Sequence, residues 1–146
     1  MKITNRRAYH DYQILEKVEA GIQLTGPEVK SVREGRASLV GSFVKIIGSE
    51  AYLVNALISL YQYTRPAGYD ERRSRKLLMH KSELIALKTK VSGSSFSLVP
   101  LSMYTKAGFI KLEVGLGKGK RRYEKRESLK RKDLQREIEA QTGEKM

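Results

Sequence analysis

The sequence contains no cysteine, only two histidines and no long apolar segment. The absence of cysteine excludes disulfides, thiolate metal sites and cysteine nucleophiles together. Two histidines are too few for a histidine-rich metal site. No segment approaches the ~20 apolar residues that span a membrane, and the first residues lack the apolar run of a signal peptide. We therefore expect a cytoplasmic protein without a metal site, a cofactor or a membrane partner.

Acidic residues are scarce beside basic ones: the 146 residues include 16 Asp or Glu and 29 Lys or Arg, which gives a net charge of +13. Residues 117–146 carry +5 of this charge and the preceding 116 residues carry +8. Two basic parts favour a large anionic partner. The length of the first part suits one domain. We predict a domain at residues 1–116, a basic C-terminal tail at residues 117–146 and a monomeric chain.

Within the tail, residues 117–132 hold nine Lys or Arg against two Glu, a net charge of +7. In a helix, Tyr123 and Leu134 would share one face while Leu129 would point away, so the apolar stripe is too thin to pack on the domain. We expect the tail to be disordered alone and helical when bound to a polyanion, because residues 120–142 contain neither Gly nor Pro. A solvated tail that only aids solubility is the alternative.

Alternating apolar residues predict short antiparallel strands. In residues 110–116 every second residue, beginning with Ile110, is apolar, while Lys111 points to the other, solvent face. Further strands are predicted at residues 12–18, 21–24, 43–47, 51–55 and 96–104, with hairpin turns at residues 48–50 and 106–108. These lengths suit a small antiparallel barrel or sandwich better than a βαβ sheet, whose parallel strands need longer crossovers.

Two short helices are predicted between the strands. In Thr25-Gly26-Pro27-Glu28 the proline suits the first helical turn, Glu28 complements the positive helix end, and Gly35 can end the helix. This helix would turn Val29 and Val32 toward the core. The second helix would follow Ser82 as its N-cap and end before the turn at residues 92–95.

Recognisable catalytic motifs are absent, because the sequence contains no Walker loop, serine elbow or paired-carboxylate motif. His10 and His80 stay open as the general acid and base of a ribonuclease, although they are seventy residues apart and match no local motif. Gly115-x-Gly117-x-Gly119 lacks the βαβ unit of a phosphate-binding loop, and we interpret it as a hinge. We therefore predict a binding protein and not an enzyme.

Cations and aromatic rings lie close together in the sequence, which is typical of RNA-binding surfaces. The N-terminal motif Arg6-Arg7-Ala8-Tyr9-His10 combines both. A second basic cluster lies in and after an exposed loop that we predict at residues 63–74, and its members are Arg72, Arg73 and Arg75. On composition alone, a structural ribosomal protein or a general RNA chaperone is an alternative to an RNA-binding adaptor.

Several motifs occur in an order that is typical of one family. They are Asn5-Arg6-Arg7-Ala8-Tyr9-His10-Asp11-Tyr12, Glu19-Ala20-Gly21-Ile22, Gly26-Pro27-Glu28-Val29-Lys30-Ser31, Arg75-Lys76-Leu77-Leu78, Pro100-Leu101-Ser102-Met103-Tyr104, Gly117-Lys118-Gly119-Lys120 and Glu124-Lys125-Arg126. Each motif alone is weak, but together they cover essentially the whole chain. Their ordered sum resembles the SsrA-binding proteins, the small protein B family (SmpB).

This resemblance implies a mainly β fold with short helices, built as an oligonucleotide-binding-like antiparallel barrel. It also implies an RNA-binding adaptor of trans-translation, the rescue of stalled ribosomes. The body would bind the tRNA-like domain of transfer-messenger RNA (SsrA RNA) and stand in for the missing anticodon arm. The tail would become ordered in the empty messenger channel of the ribosome, beside ribosomal RNA and near the decoding centre.

Two groups of site residues follow from the matching motifs and the charge of the tail. For transfer-messenger RNA they are Asn5, Arg6, Arg7, Glu19, Arg75, Lys76, Leu78 and Lys111. For the decoding centre of the ribosome they are His10, Lys118, Lys120, Arg121, Arg122, Glu124, Lys125, Arg126, Lys130, Arg131 and Lys132. A structural ion pair at Glu19 and a core position for Leu78 stay open. The chain departs from the family pattern at Glu124, usually aspartate, and at Tyr69-Asp70-Glu71, usually His-Asp-Pro.

Overall fold

A computed structural model describes residues 1–63 and 68–120. Nine strands lie in these two ranges: β1 (Lys2–Thr4), β2 (Tyr12–Ile22), β3 (Ala37–Ser38), β4 (Phe43–Ile47), β5 (Glu50–Val54), β6 (Leu57–Ile58), β7 (Arg75–Leu78), β8 (Phe96–Lys106) and β9 (Phe109–Gly119). Three helices accompany them: α1 (Arg6–Asp11), α2 (Gly26–Arg33) and α3 (Lys81–Val91). The predicted class, mainly β with short helices, is confirmed. The predicted tail beyond Lys120 and residues 64–67 of the predicted loop lie outside the described residues.

Seven of the strands form one antiparallel sheet in the order β1-β8-β9-β2-β7-β5-β4, and β3 pairs separately with β6. The sheet curls, because β4 at one end of this order contacts β8 near the other end. The hydrogen-bonded ladders end at β1 and at β4. The predicted hairpins are confirmed by the pairs β4–β5 and β8–β9.

One strand prediction is wrong, because residues 12–22 form a single strand and not parts of two. This strand, β2, pairs with β9 from its first residue to Gly21. A bulge between Ile14 and Glu16 takes up one extra residue. A bulge bends a strand and increases its twist, so β2 can follow the curl of the sheet without a turn.

The main core lies on the inner face of the sheet. The alternating apolar residues of β9, from Ile110 to Leu116, are buried there as predicted, and Lys111 lies on the opposite face. Helix α2 adds Val32 and α3 adds Leu84 and Leu87 to the same core. Burial of apolar surface stabilises a fold by about 25 cal/mol per Å². The core that the helices share with the sheet therefore holds these short helices in place.

Both predicted helices are present. At the start of α2 the Thr25 hydroxyl accepts a hydrogen bond from the Glu28 N–H at 3.4 Å, and the Glu28 carboxylate accepts one from the Thr25 N–H at 3.0 Å. Gly35 follows the helix with a φ of 75°, which favours glycine. Helix α3 begins at Lys81, so its N-cap is His80 and not the predicted Ser82.

A second, smaller core lies on the outer face of β8, β9 and β2, beneath α1. It consists of Ala8, Val99 and Leu101, with Tyr12 and Ile14 packed beside them. These side chains cover Gly115 and Gly117, which are both buried. A Cβ at Gly115 would lie 2.8 Å from Leu101 Cδ1, and one at Gly117 would lie 3.1 Å from Tyr12 Cβ. The two glycines therefore make room for the side chains above them.

The interpretation of Gly115-x-Gly117-x-Gly119 as a hinge is therefore wrong. Strand β9 continues to Gly119, which lies opposite Tyr12 of β2. The N–H of Lys120 then donates to the Asp11 carbonyl at 2.9 Å. The last strand thus extends three residues beyond residue 116, where the sequence analysis ended the domain.

A buried ionic cluster joins α2 to β7. Arg75 is fully buried, and its Nε donates to the carboxylate of Glu28, itself only 1% exposed, at 2.8 Å. Its other four N–H groups also have acceptors within 3.2 Å, which are the carbonyls of Ala56, Glu71 and Arg73 and the hydroxyl of Tyr69. Every donor of the guanidinium is therefore used inside the protein.

Glu28 stays ionised in this cluster. Burial by itself raises its pKa, but hydrogen bonds from Arg73, from the Thr25 N–H and from Arg75 lower the pKa to about 2. The Tyr69 hydroxyl lies 3.2 Å from the same carboxylate. The tyrosine of the unusual Tyr69-Asp70-Glu71 segment therefore belongs to the cluster.

The free energy of unfolding should depend on the charge of Glu28. Its pKa rises from about 2 in the folded protein to the usual 4.5 on unfolding, so its contribution is complete above pH 4.5 and is lost as the pH falls toward 2. We expect Glu28→Gln to lose about 3 kcal/mol at about pH 7 and clearly less at about pH 3. Urea unfolding at both pH values measures the difference.

The control for this prediction is Glu34→Gln, which removes an exposed carboxylate after the same helix. This variant should unfold like the parent protein at both pH values. An equal loss for Glu28→Gln at the two pH values would contradict a stabilising charge at Glu28.

Gly115→Ala should lower the free energy of unfolding by about 1–3 kcal/mol, because the new Cβ would overlap Leu101 in a packed cluster. Gly119→Ala is the matched control in the same strand, since no atom lies within 4 Å of its Cβ position. Urea unfolding of both variants provides the comparison. Equal stability of the two would mean that the cluster beneath α1 is not closely packed.

Candidate nucleic-acid interface

Four of the predicted site residues line one groove on the outer face of the sheet: Glu19, Lys76, Leu78 and Lys111. The groove lies where β2 runs between β7 and β9, and Gly21 of β2 is opposite both Leu78 and Lys111. Leu78 is 53% exposed, so the alternative that it is a core residue is wrong. The sheet thus brings together side chains that lie far apart in the sequence.

Glu19 is held by two side chains of β8. Its carboxylate accepts a hydrogen bond from the Tyr104 hydroxyl and lies 3.3 Å from Lys106 Nζ. The Tyr104 hydrogen bond and Lys106 lower the pKa of Glu19, while burial and Glu19 raise the pKa of Tyr104. The ion pair that was left open for Glu19 is present. Glu19 is therefore an exposed carboxylate that orients a tyrosine and a lysine beside the groove.

Lysines surround the groove, and most of them face a carboxylate. Lys17 Nζ lies 3.9 Å from Glu113, and Lys76 Nζ lies 3.0 Å from Glu50, which raises the pKa of Lys76. Lys111 differs from them, because within residues 1–63 and 68–120 no carboxylate lies at ion-pair distance from its Nζ. Its ammonium group is the one best able to bind a phosphate.

A second basic group lies around α1 and the end of β9, and it consists of Arg6, Arg7, His10, Lys118 and Lys120. Lys120 Nζ donates to the Tyr9 carbonyl at 3.0 Å, which attaches the end of β9 to the helix. From Tyr12 to Gly21, β2 spans roughly 30 Å at ~3.3 Å per residue. This group therefore lies at the opposite end of β2 from Gly21, while Lys17, in the middle of the strand, lines the groove and places its Nζ 5.5 Å from the centre of the Tyr9 ring. Arg6 and Arg7, which the sequence analysis assigned to transfer-messenger RNA, thus lie beside residues that it assigned to the decoding centre.

Two of the predicted RNA contacts are buried and must be corrected. Asn5 is 5% exposed, and its amide donates to the carbonyls of Pro100 at 2.9 Å and Leu39 at 3.3 Å. Arg75 is fully buried with every donor used by the protein. Asn5 fastens the N-terminal segment to β8, and Arg75 holds α2 against β7. Neither side chain can reach RNA without breaking the fold.

The alternative of a His10 and His80 acid–base pair is contradicted. His10 lies in α1, immediately before β2. His80 follows β7, whose Leu78 is opposite Gly21 near the far end of β2. Because β7 runs antiparallel to β2, His80 lies back toward Glu19. The residues of β2 between Tyr12 and Glu19 span roughly 20 Å at ~3.3 Å per residue, which keeps the two imidazoles too far apart to act on one bond.

Eight predicted contacts lie in the chain beyond the described residues: Arg121, Arg122, Glu124, Lys125, Arg126, Lys130, Arg131 and Lys132. In the part that the structure does describe, no three His, Asp or Glu side chains gather as a metal site. The helices of that part include none that is long and apolar enough to cross a bilayer.

The sequence analysis missed Phe109, which is 68% exposed beside the groove. The centre of its ring lies 5.8 Å from Lys111 Nζ. The alternation that turns Ile110 inward and Lys111 outward also turns Phe109 outward, so the signal was present. Tyr104 and Lys106 were missed as the partners of Glu19 because β9 lies between their strand and β2, which no local pattern reveals.

A curled antiparallel sheet with an outer groove surrounded by lysines defines a basic β-protein of the nucleic-acid-binding class. The family model described as "SmpB protein" matches residues 2–144. The chain belongs to the SmpB family, so the resemblance inferred from the motifs is confirmed.

The sequence of this chain also matches individual SsrA-binding proteins over nearly their whole length. The SsrA-binding protein of Sulfurihydrogenibium sp. (strain YO3AOP1) is 53% identical over 93% of this chain and 90% of its own. The SsrA-binding protein of Carboxydothermus hydrogenoformans is 50% identical over 92% and 91%. A solved structure described as "tmRNA-SmpB: a journey to the center of the bacterial ribosome" is 46% identical, with a TM-score of 0.70 over 88% of this chain and 94% of that one.

Glu19→Gln should lower the pKa of Tyr104, because it removes the carboxylate that helps to raise it. Tyrosinate absorbance followed against pH, as a difference between each protein and its Tyr104→Phe counterpart, isolates this phenol. Tyr52, whose hydroxyl donates to Glu50 and whose pKa is also raised, is the control. Followed in the same way, as a difference from a Tyr52→Phe counterpart, it should titrate unchanged when Glu19 is replaced. An unchanged Tyr104 transition would mean that Glu19 does not hold the tyrosine in solution.

Proposed function

We propose that this protein is an RNA-binding adaptor of trans-translation without enzymatic activity. It binds the tRNA-like domain of transfer-messenger RNA and delivers this RNA to stalled ribosomes in the cytoplasm. The observation that carries the proposal is the single groove lined by Glu19, Lys76, Leu78 and Lys111. These residues come from three strands, β2, β7 and β9, yet the sheet places them within reach of one ligand.

The charge pattern of the groove supports recognition of a particular RNA shape. Lys17, Lys76 and Lys106 each face a carboxylate, which reduces the attraction for phosphate in general. Lys111 keeps its charge available, next to the apolar surface of Leu78. Alternating charges and an apolar contact favour specificity over bulk affinity. A structural ribosomal protein or general RNA chaperone, the main alternative, needs no such pattern.

We further propose that the curled sheet is the frame of an oligonucleotide-binding-like barrel that closes between β4 and β8. The domain then ends at Gly119, the last paired residue of β9, and a basic tail follows. The groove and the cluster around α1 adjoin along β2, because Lys17 lines the groove and its Nζ lies 5.5 Å from the centre of the Tyr9 ring. One monomeric chain can thus present a continuous basic surface that runs from the groove to the start of the tail.

The tail is assigned to the ribosome. His10, Lys118 and Lys120 lie where the chain leaves the domain, so they continue directly into the basic residues that follow. We propose that the tail is disordered in the free protein and becomes helical in the empty messenger channel near the decoding centre. Its charge of +7 over residues 117–132 suits ribosomal RNA.

The test is binding of the full protein to the tRNA-like domain of transfer-messenger RNA, in excess ordinary transfer RNA and across a salt series. Lys111→Ala should weaken this binding and lower the slope of log affinity against log salt by about 1. Lys45→Ala is the matched control: it removes the same charge from β4, away from the groove.

Tight binding that survives the competitor, and that Lys111→Ala weakens much more than Lys45→Ala, is the expected result. If any RNA displaces the tRNA-like domain, and both variants lose the same small amount of affinity, the protein binds phosphates nonspecifically. That outcome would favour the general RNA chaperone.

A further inference from the structure

Three residues on neighbouring strands form a row across the groove, and the central one, Gly21, has no side chain. Gly21 lies opposite Leu78 on one side and Lys111 on the other. Neighbouring strands are ~4.8 Å apart, so the backbones of Leu78 and Lys111 are about 10 Å apart with no side chain between them. Gly21 has no positive φ, so its backbone does not require glycine. The missing side chain instead leaves room that the neighbouring Leu78 can use.

This room lets Leu78 lean over β2. A Cβ at Gly21 would lie 3.2 Å from Leu78 Cβ and 3.6 Å from Leu78 Cδ1. A contact of 3.2 Å is closer than ordinary packing, so a side chain at position 21 would push Leu78 away. Gly21 is therefore a positioning residue for Leu78.

Phe109 forms the other side of an apolar recess that begins at Gly21. Leu78 and Phe109 line the recess together with Leu24 and Val29. Phe109 follows the tight turn at Gly108, whose carbonyl accepts a hydrogen bond from Arg33 at 3.1 Å. The turn is thus anchored to α2, which holds the aromatic ring at the edge of the recess.

A mostly exposed aromatic ring and a mostly exposed leucine border the recess, together with a lysine. Phe109 is 68% exposed and Leu78 is 53% exposed. Nucleobases offer flat apolar faces that stack on such side chains, and their phosphates bind neighbouring cations. Lys111, which borders both the recess and the groove, is placed to bind that phosphate.

We propose that this recess receives one unpaired nucleobase of the bound RNA, held between Leu78 and Phe109. Gly21 lets Leu78 take its position at the edge of the recess, and Lys111 binds the adjoining phosphate. This inference rests on the proposed function, and it adds Phe109 and Gly21 to the residues that select the RNA.

The experiment uses the tRNA-like domain of transfer-messenger RNA with 2-aminopurine at one unpaired position at a time. Binding of the unchanged protein should alter the fluorescence strongly at one position. Phe109→Ala should abolish that signal and weaken binding about tenfold, the usual effect of losing one base stack. Phe109→Tyr should restore both, because the ring is kept, and Gly21→Ala should weaken both through Leu78.

Phe43→Ala is the control, since it removes a 45% exposed aromatic ring from β4. If the unchanged protein binds this RNA no better than ordinary transfer RNA, the proposed function fails. If it binds specifically, but Phe109→Ala matches Phe43→Ala in affinity and in the fluorescence of every position, the recess does not hold a base while the proposed function stands.

Discussion

The buried pair between Glu28 and Arg75 is the contact on which the arrangement of the groove depends. Either charge alone in that position would cost several kcal/mol, so α2 and β7 must assemble together. With Arg75 turned inward, the alternation of a strand turns Leu77 inward as well and leaves Lys76 and Leu78 on the outer face. One ion pair therefore selects the two side chains of this motif that face the groove.

A second constraint acts at the other end of β2. The small core beneath α1 closes over Gly115 and Gly117, and it attaches the N-terminal helix to the last strand. The end of β9 is thereby held beside Tyr9 and Asp11. The position from which the basic tail leaves the domain is therefore fixed. Strand β2 connects this place to the groove, and Lys17, which lines the groove, contacts the Tyr9 ring of α1.

Local patterns predicted much of the fold. Alternation identified the inner face of β9 and the outward position of Lys111, and the Thr-Gly-Pro-Glu segment identified the start of α2. The errors have a common cause. Arg75 was assigned to RNA because it stands in a basic cluster, but its partner Glu28 lies 47 residues away. Gly117 was interpreted as a hinge because the residues that cover it, Tyr12 and Ile14, come from another strand.

By itself the sequence determined the basic charge, the strand and helix signals and the family, because composition, periodicity and ordered motifs are properties of the chain in one dimension. Only the tertiary structure decided which polar side chains are free to bind. Glu28, Arg75 and Asn5 are buried and hydrogen-bonded to partners distant in sequence, whereas Lys111 and Phe109 are left at the surface. The physical reason is that burial and pairing of a charge depend on neighbours across the sheet, and those neighbours are set by strand register.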